Sequence, residues 1–338
     1  MNLRIAFAGF RHGHIRGLYS RAQEAEDVEV VAACEEDAAT REAMASEGKI
    51  PITHDRVDAM LDEVACDVVA VGDYYGKRGT IAIRALESGR HVISDKPLCT
   101  RLEEQDRIET LARERGLKVG CMLDLRDMGQ FVGVRDLIRE GAIGPVHAVF
   151  VGGQHPLKPG VRPSWYFESG KHGGTLNDIG IHALDYIPWA TGLRFSVVNA
   201  ARCWNAFAEP WPFLKDAAQM MLTMDNGCGV LGDMSYFAPD RIGYRLPMYW
   251  RMNLWGREGV IETSCTTEKI ALMRAGAKEI EHLDAPAGNP GGYLRSFLDD
   301  VSGRPQVDGL TTESVLAVSR LSLTVQRAAD EGLREVPL

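Results

Sequence analysis

Two short segments of the 338-residue chain carry side chains that suit acid–base chemistry. The first is Asp95-Lys96-Pro97, which directly follows the apolar segment from His91 to Ser94. A lysine at the carboxyl end of a parallel strand points into the crevice in which open α/β sheets bind ligands, and the proline fixes the chain behind it. The alternative for this motif alone is a solvated lysine beside an aspartate on the surface.

The second segment runs from Gly173 to Asp185, and its polar residues fall at helical spacing. On a helix beginning near Thr175, the residues Asp178, His182 and Asp185 share one face. That spacing suits a histidine general base oriented by carboxylates. The alternative is that Thr175 and Asp178 form an N-terminal capping pair and that His182 is a hydrogen-bonded core residue.

A glycine turn, Gly9-Phe10-Arg11-His12-Gly13-His14, closes the first predicted strand. Dinucleotide sites use G-x-G-x-x-G, in which glycines allow a tight turn and close approach of the backbone to the pyrophosphate. Only the first of these glycines is present, at Gly9, because Arg11 and His14 occupy the other two positions and Gly13 lies one residue early. A helix N-terminus still binds an anion here, and Arg11 is suited to neutralise a phosphate. A plain strand-to-helix turn is the alternative.

Three acidic residues, Glu35, Glu36 and Asp37, follow the second predicted strand. Glu35 follows the glycine turn at about the distance, roughly twenty residues, at which a carboxylate binds the ribose hydroxyls of a dinucleotide. Because carboxylates repel a 2′-phosphate, this segment favours NAD over NADP. The alternative, an acidic helix N-terminus that satisfies the helix dipole, fits Glu36 and Asp37 better than Glu35.

Alternating strands and helices are predicted to position these motifs. In the first third of the chain, near-continuous apolar segments of strand length alternate with amphipathic helical stretches, which predicts a doubly wound parallel sheet. The predicted strands are Leu3–Ala8, Val28–Cys34, Val68–Val71, His91–Ser94 and Lys118–Met122.

The pattern changes after about Leu123. A helix is predicted over Gln130–Arg139, and strand-like runs separated by Gly, Pro and Asn turns then predict a large, mostly antiparallel sheet. A last helix is predicted over Glu313–Ala329, with Thr312 as its N-cap and Gly332 beyond its end. The fold class is therefore α/β, with a Rossmann domain over residues 1–123 and an α+β domain for substrate binding and oligomerisation over residues 124–338.

The net charge and the spacing of the cysteines argue against several kinds of partner and site. The chain has 38 Lys and Arg against 47 Asp and Glu, a formal net charge of −9, and no lysine- or arginine-rich run. This balance argues against nucleic acid or an anionic membrane surface as a partner. No stretch approaches the ~20 apolar residues of a membrane-spanning helix. The seven cysteines are scattered without a C-x-x-C pair, which predicts reduced thiols in a cytoplasmic protein and no metal site.

Taken in order, these motifs resemble the glucose–fructose oxidoreductase, inositol dehydrogenase and rhizopine catabolism (Gfo/Idh/MocA) family of NAD(P)-dependent oxidoreductases. In that family the lysine of Glu-Lys-Pro and the aspartate and histidine of GG-x-x-x-D-x-G-x-H form the catalytic group. The resemblance therefore implies that Lys96, Asp178 and His182 are catalytic. It covers nearly the whole chain, since further matching segments are Ala85–Val92, Leu137–Gly144, Gly256–Gly259 and Phe297–Asp300.

The chain departs from the family pattern at three places. Asp95 replaces the usual glutamate, and the glycine fingerprint is degraded. The family's Thr-Pro-Pro or Thr-Pro-Asn turn followed by histidine is replaced by Gly72-Asp73-Tyr74-Tyr75, with Arg78 at the histidine position. This turn is still expected to border the nicotinamide. The cofactor contacts that the resemblance implies are Gly9, Phe10, Arg11, His12, Gly13, His14, Glu35, Gly72, Asp73, Tyr74, Arg78, Asp95, Lys96 and Pro97.

The resemblance implies hydride transfer between a nicotinamide cofactor and a secondary hydroxyl or ketone of a sugar or polyol. His182 is expected to act as the base, and Asp178 to orient it or to bind a neighbouring hydroxyl. Lys96 is expected to stabilise the developing alkoxide and to hold the nicotinamide ribose, with Asp185 in a supporting position. The expected substrate contacts are Lys96, Arg126, His155, Trp165, Tyr166, Asp178 and His182.

Several alternatives stay open. If the loop cations His155, Lys158 and Arg162 face the pocket, an acidic sugar is the expected substrate. The same architecture supports an NAD-dependent glycosidase that acts by transient oxidation, or a non-catalytic dinucleotide-binding regulatory protein. The presence of lysine, aspartate and histidine together argues against the regulatory protein. A homodimer or homotetramer is expected.

Overall fold

The short apolar segments of the N-terminal third form a parallel sheet. The computed structural model describes residues 2–338. The strands of this sheet are β1 (Leu3–Ala8), β2 (Val28–Cys34), β3 (Val68–Val71), β4 (His91–Ser94) and β5 (Val119–Cys121). All neighbouring pairs are parallel, in the order β2-β1-β3-β4-β5. The predicted doubly wound parallel sheet is confirmed, and β3 is buried along its whole length, as a strand covered on both faces should be.

Helices follow the strands of this sheet. They are α1 (His14–Glu24), α2 (Ala38–Glu47), α3 (Val57–Glu63), α4 (Tyr75–Glu87) and α5 (Leu102–Arg115). Helix α1 buries Ile15, Leu18 and Ala22, which recur at helical spacing along one face. Asp37 caps α2, because its side chain accepts a 2.9 Å hydrogen bond from the Thr40 N–H. Asp37 therefore lies at the N-terminus of a helix, as the alternative interpretation of this residue predicted.

Two glycines allow the turns after β1 and β3 to pack against each other. Gly9 has a φ of +86°, and a β-carbon at this position would lie 2.7 Å from the Asp73 backbone nitrogen. A β-carbon at Gly72 would overlap the side chain of Ile15. Glycine is thus required at both positions, by conformation and contact at Gly9 and by contact at Gly72. The two turns carry most of the predicted cofactor contacts.

The second sheet is large and mostly antiparallel, as predicted. Helix α6 (Gly129–Arg139) precedes it, and helix α7 (Ile181–Thr191) lies between its first two strands in sequence. Its strands are β6 (Val146–Pro156), β7 (Phe195–Trp204), β8 (Ala217–Met224), β9 (Gly229–Ala238), β10 (Met252–Gly256), β11 (Gly259–Thr263), β12 (Lys269–Arg274), β13 (Glu281–Asp284) and β14 (Arg334–Pro337). They run in the order β13-β12-β11-β10-β6-β9-β8-β7-β14, and only the β6–β9 pair is parallel among the described residues.

The chain divides into two compact units that are not contiguous in sequence. The first unit comprises the residues up to Met122 together with Ser169–Gly173 and Gly291–Arg320. The second unit comprises Leu123–Glu168, Gly174–Pro290 and Leu321–Leu338. Helix α8 (Gly292–Val301) belongs to the first unit, and α9 (Thr312–Glu331) begins in the first and ends in the second. The domain bounds 1–123 and 124–338 stay a prediction. Across residues 2–338, no helix has the length and apolarity needed to span a bilayer.

The predicted helix near Thr175 differs from expectation in the geometry of its first turn. Leu176–Gly180 form a π-helical turn, and α7 begins only at Ile181. Thr175 is not a cap, since its hydroxyl donates to the Lys215 carbonyl and the Gln326 side chain instead accepts from the Leu176 N–H at 2.9 Å. Asp178 lies in the π turn, so the α-helical spacing that put it on one face with His182 does not apply to it.

The predicted cap of the last helix is also wrong by one residue. Thr312 is the first residue of α9 and donates its hydroxyl to Asp300 at 2.6 Å. The capping hydroxyl belongs to Thr311, which accepts from the Ser314 N–H at 3.3 Å. Gly332 follows the helix with a φ of +67°, as predicted for a terminating glycine.

Candidate active site

Two histidines of the turn after β1 are directed at one buried carboxylate in the first unit. His12 Nδ1 lies 2.5 Å from Asp95 Oδ2, and His14 Nδ1 lies 3.3 Å from Asp95 Oδ1. Asp95 follows β4 and has no exposed surface. The loops meet because β1, β3 and β4 are neighbours and the carboxyl ends of parallel strands share one edge of the sheet. The sequence placed His12, His14 and Asp95 among cofactor contacts without indicating that they touch each other.

Arg78 joins the loops after β3 and β4. Its Nε donates to the Asp73 carbonyl at 2.7 Å and its Nη2 to Asp95 Oδ2 at 2.8 Å. Its Nη1 donates to the Lys96 carbonyl. The side chain is completely buried, so Arg78, which the resemblance assigned to the cofactor, directs all three nitrogens at protein oxygens.

Tyr75 connects this arrangement to Lys96. Its hydroxyl lies 3.3 Å from His12 Nε2, and its ring centroid lies 4.5 Å from the Arg78 guanidinium carbon. The Lys96 ammonium lies 5.8 Å from the same centroid, within the range of a cation–π contact. The centroid of the His172 ring lies 5.5 Å from the centroid of the Tyr75 ring. Tyr75 and His172 were not predicted as site residues, although Tyr75 belongs to a turn that departs from the family pattern.

The pKa values of His12 and Asp95 indicate their protonation states at neutral pH. Burial lowers the pKa of His12 to about 4, although Asp95 raises it. Burial would raise the pKa of Asp95, but Arg78 and the two histidines outweigh that effect and hold it well below its ordinary value. At neutral pH the arrangement is therefore an ion pair between Arg78 and Asp95 with a neutral His12. Hydrogen bonding to the carboxylate assigns the proton of His12 to Nδ1 and leaves Nε2 to accept from Tyr75.

The same side chains resemble a metal-ligand set. One ligand atom from each of His12, His14 and Asp95 lies within 4.8 Å of the others. However, Asp95 Oδ2 already accepts from the Arg78 guanidinium at 2.8 Å, and a divalent cation there would be repelled by that charge. The geometry favours hydrogen bonding over metal binding, and the absence of a metal stays a prediction.

The three acidic residues after β2 have separate partners. Glu35 has no exposed surface and accepts from the Phe10 N–H at 2.6 Å and from the Asp37 N–H at 2.8 Å. Burial raises its pKa, against the effect of these two N–H groups. Glu36 pairs with Lys77 at 2.5 Å, and Asp37 pairs with Arg11 at 3.3 Å. Glu35 therefore holds the glycine turn through the Phe10 N–H, and Arg11 lies beside the carboxylate of Asp37.

In the second unit, Asp178 is bonded to a tyrosine from the large sheet. The Tyr236 hydroxyl, on β9, donates to Asp178 Oδ2. Burial, with a further contribution from Asp178, raises the pKa of Tyr236 well above its ordinary value, so this hydroxyl stays protonated. His182, on α7, has Nδ1 3.6 Å from Asp124 Oδ1 and its ring 5.4 Å from that of Trp250. Sequence reasoning missed Tyr236 and Asp124, and no local motif marks either residue.

Arg126 and Asp185 form an ion pair in the second unit. Arg126 Nε donates to Asp185 Oδ2 at 2.7 Å, and Nη2 donates to Oδ1. Burial raises the pKa of Asp185, and Arg126 opposes that effect. The guanidinium also lies 5.5 Å from the Trp189 ring. Arg126 was expected to bind substrate, and the structure places it against the helix that carries His182.

The remaining predicted substrate contacts, His155, Trp165 and Tyr166, belong to a group of aromatic side chains. Trp165 and Tyr166 are buried and stacked with centroids 4.1 Å apart. The Arg162 guanidinium carbon lies 4.5 Å from the Tyr166 ring and 4.9 Å from the Tyr236 ring. The His155 ring lies 6.2 Å from that of Tyr236. Tyr236 thus lies beside both Asp178 and the residues of the loop after β6.

Two family models match the chain. Residues 3–122 match the model described as an oxidoreductase family with an NAD-binding Rossmann fold. Residues 131–262 match the GFO/IDH/MocA C-terminal domain. The N-terminal part of the chain is therefore an NAD-binding Rossmann domain.

Individual proteins are similar over much of the chain. A dTDP-3,4-didehydro-2,6-dideoxy-alpha-D-glucose 3-reductase of Streptomyces violaceoruber is 29% identical over 231 residues, 68% of this chain and 63% of that protein. A scyllo-inositol 2-dehydrogenase (NADP(+)) of Bacillus subtilis is 25% identical over 171 residues, 51% of this chain and 46% of that protein. These two alignments thus span less than two thirds of each relative. A solved structure of a protein from Thermotoga maritima has a TM-score of 0.85 at 24% identity, and the match covers 99% of this chain and 100% of that one, which shows a shared fold.

Proposed function

Because the chain belongs to the Gfo/Idh/MocA family of oxidoreductases, we propose that it oxidises a secondary hydroxyl of a sugar or polyol, or reduces the corresponding ketone. The observation that carries this proposal is the burial of three polar groups at the motif positions. Lys96, Asp178 and His182 are only 4%, 3% and 7% exposed. Burying such groups costs free energy, and buried ionisable groups of this kind cluster at functional sites.

The turn after β1 fits a dinucleotide. A β-carbon built on Gly13 meets no heavy atom within 4 Å, so there is open space before helix α1. The N-cap residue of this helix, Gly13, has no side chain that could cap it, and the N–H groups of a helix N-terminus are suited to bind an anion. Arg11 and His14, which lie near Gly13 in sequence, are proposed to hold the pyrophosphate. NAD, when bound, supplies the nicotinamide carbon that accepts or returns the hydride.

We assign NAD rather than NADP to this turn. Glu36 and Asp37 keep side chains that are about one-third exposed, at 34% and 33%. In dinucleotide-binding folds a carboxylate after the second strand binds the ribose hydroxyls. The charge of Glu36 and Asp37 would repel a 2′-phosphate there, while Lys77 and Arg11 offset part of that charge. The scyllo-inositol dehydrogenase relative bears an NADP(+) label, so both cofactors belong in the test.

His182 is proposed to take the proton of the reacting hydroxyl. An imidazole is the side chain whose ordinary pKa lies closest to neutrality, which suits a general base. Asp178, held by the Tyr236 hydroxyl, is proposed to bind a neighbouring substrate hydroxyl or to favour the charged imidazole. Lys96 is proposed to place its ammonium where negative charge develops on the substrate oxygen.

The relatives and the aromatic group support the proposed substrate class. The names of both relatives give a sugar or an inositol as the substrate. His155, Trp165 and Tyr166 offer flat surfaces and a polar group suited to a ring with hydroxyls. Arg162, stacked on Tyr166 and Tyr236, adds a positive charge beside these residues. We therefore include carboxylated sugars among the candidate substrates, as well as neutral sugars and polyols.

The test is a panel of neutral sugars, carboxylated sugars and polyols with NAD and with NADP, followed by the absorbance of the reduced cofactor. We expect turnover with NAD and at least one compound of the panel. Lys96→Met and His182→Ala should each lower kcat about 100-fold or more, because each removes a group that acts on the transition state, while NAD affinity changes by about twofold or less. Near-normal turnover of both variants would contradict the assignment, and aryl glycoside hydrolysis without net NADH would indicate the glycosidase instead.

A further inference from the structure

The proposed mechanism uses Lys96 but does not account for the buried groups around Asp95. We call His12, Tyr75, Arg78 and Asp95 the Asp95 cluster. All four belong to the first unit and are at most 9% exposed. A buried ion pair such as that between Arg78 and Asp95 stabilises a fold little more than apolar residues of the same volume would. The cluster is therefore better explained by what it orients than by the stability it adds.

The guanidinium of Arg78 holds the backbone of two loops as well as the Asp95 carboxylate. Its donors reach the Asp73 carbonyl, the Asp95 carboxylate and the Lys96 carbonyl. These acceptors belong to the loops after β3 and β4. A planar guanidinium satisfies acceptors in fixed directions, whereas a lysine ammonium is a flexible point charge. The backbone of Lys96 is thus held by a contact that lysine at position 78 would not reproduce.

The ring of Tyr75 supports the side chain of Lys96. Its hydroxyl donates to His12 Nε2 at 3.3 Å, and Asp95 holds His12 in turn through Nδ1 at 2.5 Å. The Arg78 guanidinium carbon lies 4.5 Å from the ring centroid, and the Lys96 ammonium lies 5.8 Å from it. The orientation of this ring therefore depends on the same cluster that fixes the Lys96 carbonyl.

We propose that Arg78, His12 and Tyr75 are positioning residues for Lys96, with Asp95 as the group that links them. The proposal rests on the proposed function, since it assumes that the orientation of the Lys96 ammonium matters for turnover. It also makes a claim that is independent of turnover, namely that Lys96 is immobilised by this cluster. The two claims are tested by different measurements.

The first measurement is the rate of reductive methylation of each lysine in the purified protein, followed by peptide mapping. We expect Arg78→Lys and Tyr75→Phe to raise the rate at Lys96 by about fivefold or more, while Lys118, which pairs with Asp300, keeps its rate. Arg84→Lys is the matched control, because Arg84 lies on the same helix in an exposed pair with Asp58. An unchanged Lys96 rate in both variants, or an equal rise at all lysines, would overturn the proposal. Tyr75→Phe alone carries the test if Arg78→Lys does not fold.

The second measurement is a double-mutant cycle in steady-state kinetics, with NAD and the most active compound of the sugar and polyol panel. Arg78→Lys should lower kcat about 10-fold with little change in KM, and it should have almost no further effect in the Lys96→Met background. Equal losses in both backgrounds would show a structural role only and overturn the positioning role. If Lys96→Met is fully active, the proposed function of Lys96 fails, and the methylation result still decides the immobilisation.

Discussion

The two units each bury an aspartate of a predicted site motif, but the partners of the two aspartates differ. Asp95, in the first unit, is bonded to the Arg78 guanidinium and to His12. Asp178, in the second unit, accepts from the neutral hydroxyl of Tyr236. A guanidinium matches the charge of a carboxylate and keeps it ionised, whereas a phenol fixes its orientation without neutralising it. The first arrangement suits holding a loop, and the second suits acting on a polar ligand.

The largest expected effect is on the stability of the first arrangement. Asp95→Asn leaves the Arg78 charge buried without its counter-ion, which should cost about 3–5 kcal/mol of unfolding free energy. Urea denaturation measures this loss. Asp58→Asn, which breaks the exposed pair with Arg84, is the control and should cost about 1 kcal/mol or less. Equal losses for the two variants would show that the buried pair with Arg78 contributes no more to stability than an exposed pair does.

The second expected effect is on turnover in the second unit. Asp178→Asn keeps an oxygen that accepts from Tyr236 but removes the negative charge. We expect kcat to fall about 100-fold, while the unfolding free energy changes by about 1 kcal/mol or less, because the hydrogen bond is retained. Steady-state kinetics and urea denaturation on the same preparation give both values. A variant that unfolds early and keeps its turnover would reverse the roles given to the two aspartates.

The smallest expected effect is on the pH dependence of stability. The pKa of His12 is about 4 in the folded protein against 6.5 ordinarily, so between these values the unfolded chain binds the extra proton. Stability should therefore be full above the ordinary pKa and decline as the pH falls toward about 4, with a loss of about 1 kcal/mol near pH 5.5. Below that range Asp95 adds to the decline, since its pKa is depressed and protonation favours the unfolded chain.

A comparison with the His12→Asn variant isolates the contribution of His12 to the pH dependence of stability. Asparagine retains a donor to Asp95 but does not titrate, so the variant should lack the decline that His12 causes. The comparison is needed because burial also lowers the pKa of His91, which contributes a decline of the same sign. Parallel pH curves for the two proteins would show that His12 does not titrate as described.

Local patterns were sufficient to predict the strands of the parallel sheet but not the contacts of the site. Continuous apolar runs such as Val68–Val71 identify buried parallel strands from sequence alone. The Tyr236 hydroxyl, in contrast, reaches Asp178 from a strand 58 residues away, and the Gln326 side chain caps the π turn from 150 residues away. Such long-range pairings leave no spacing signal in the sequence, so the interpretation of Thr175 as the cap was wrong.

The departures from the family pattern were visible, but their connection was not. His12 belongs to the degraded glycine turn, Arg78 stands at a histidine position and Asp95 replaces a glutamate. The sequence presents them as separate differences, whereas the structure shows one hydrogen-bonded cluster. Only the arrangement of β1, β3 and β4 side by side brings their loops together. The roles of Lys96, Asp178 and His182 stay predictions.

The most direct test of the central claim is transfer of label from substrate to cofactor. The most active compound of the panel, carrying deuterium at the carbon that bears the reacting hydroxyl, is incubated with the protein and NAD, and the NADH formed is analysed by mass spectrometry. Direct hydride transfer predicts that accumulating NADH carries the deuterium at its nicotinamide ring, at a rate that falls about 100-fold or more in His182→Ala. Unlabelled NADH, or loss of the deuterium to water without net reduction of NAD, would contradict the claim.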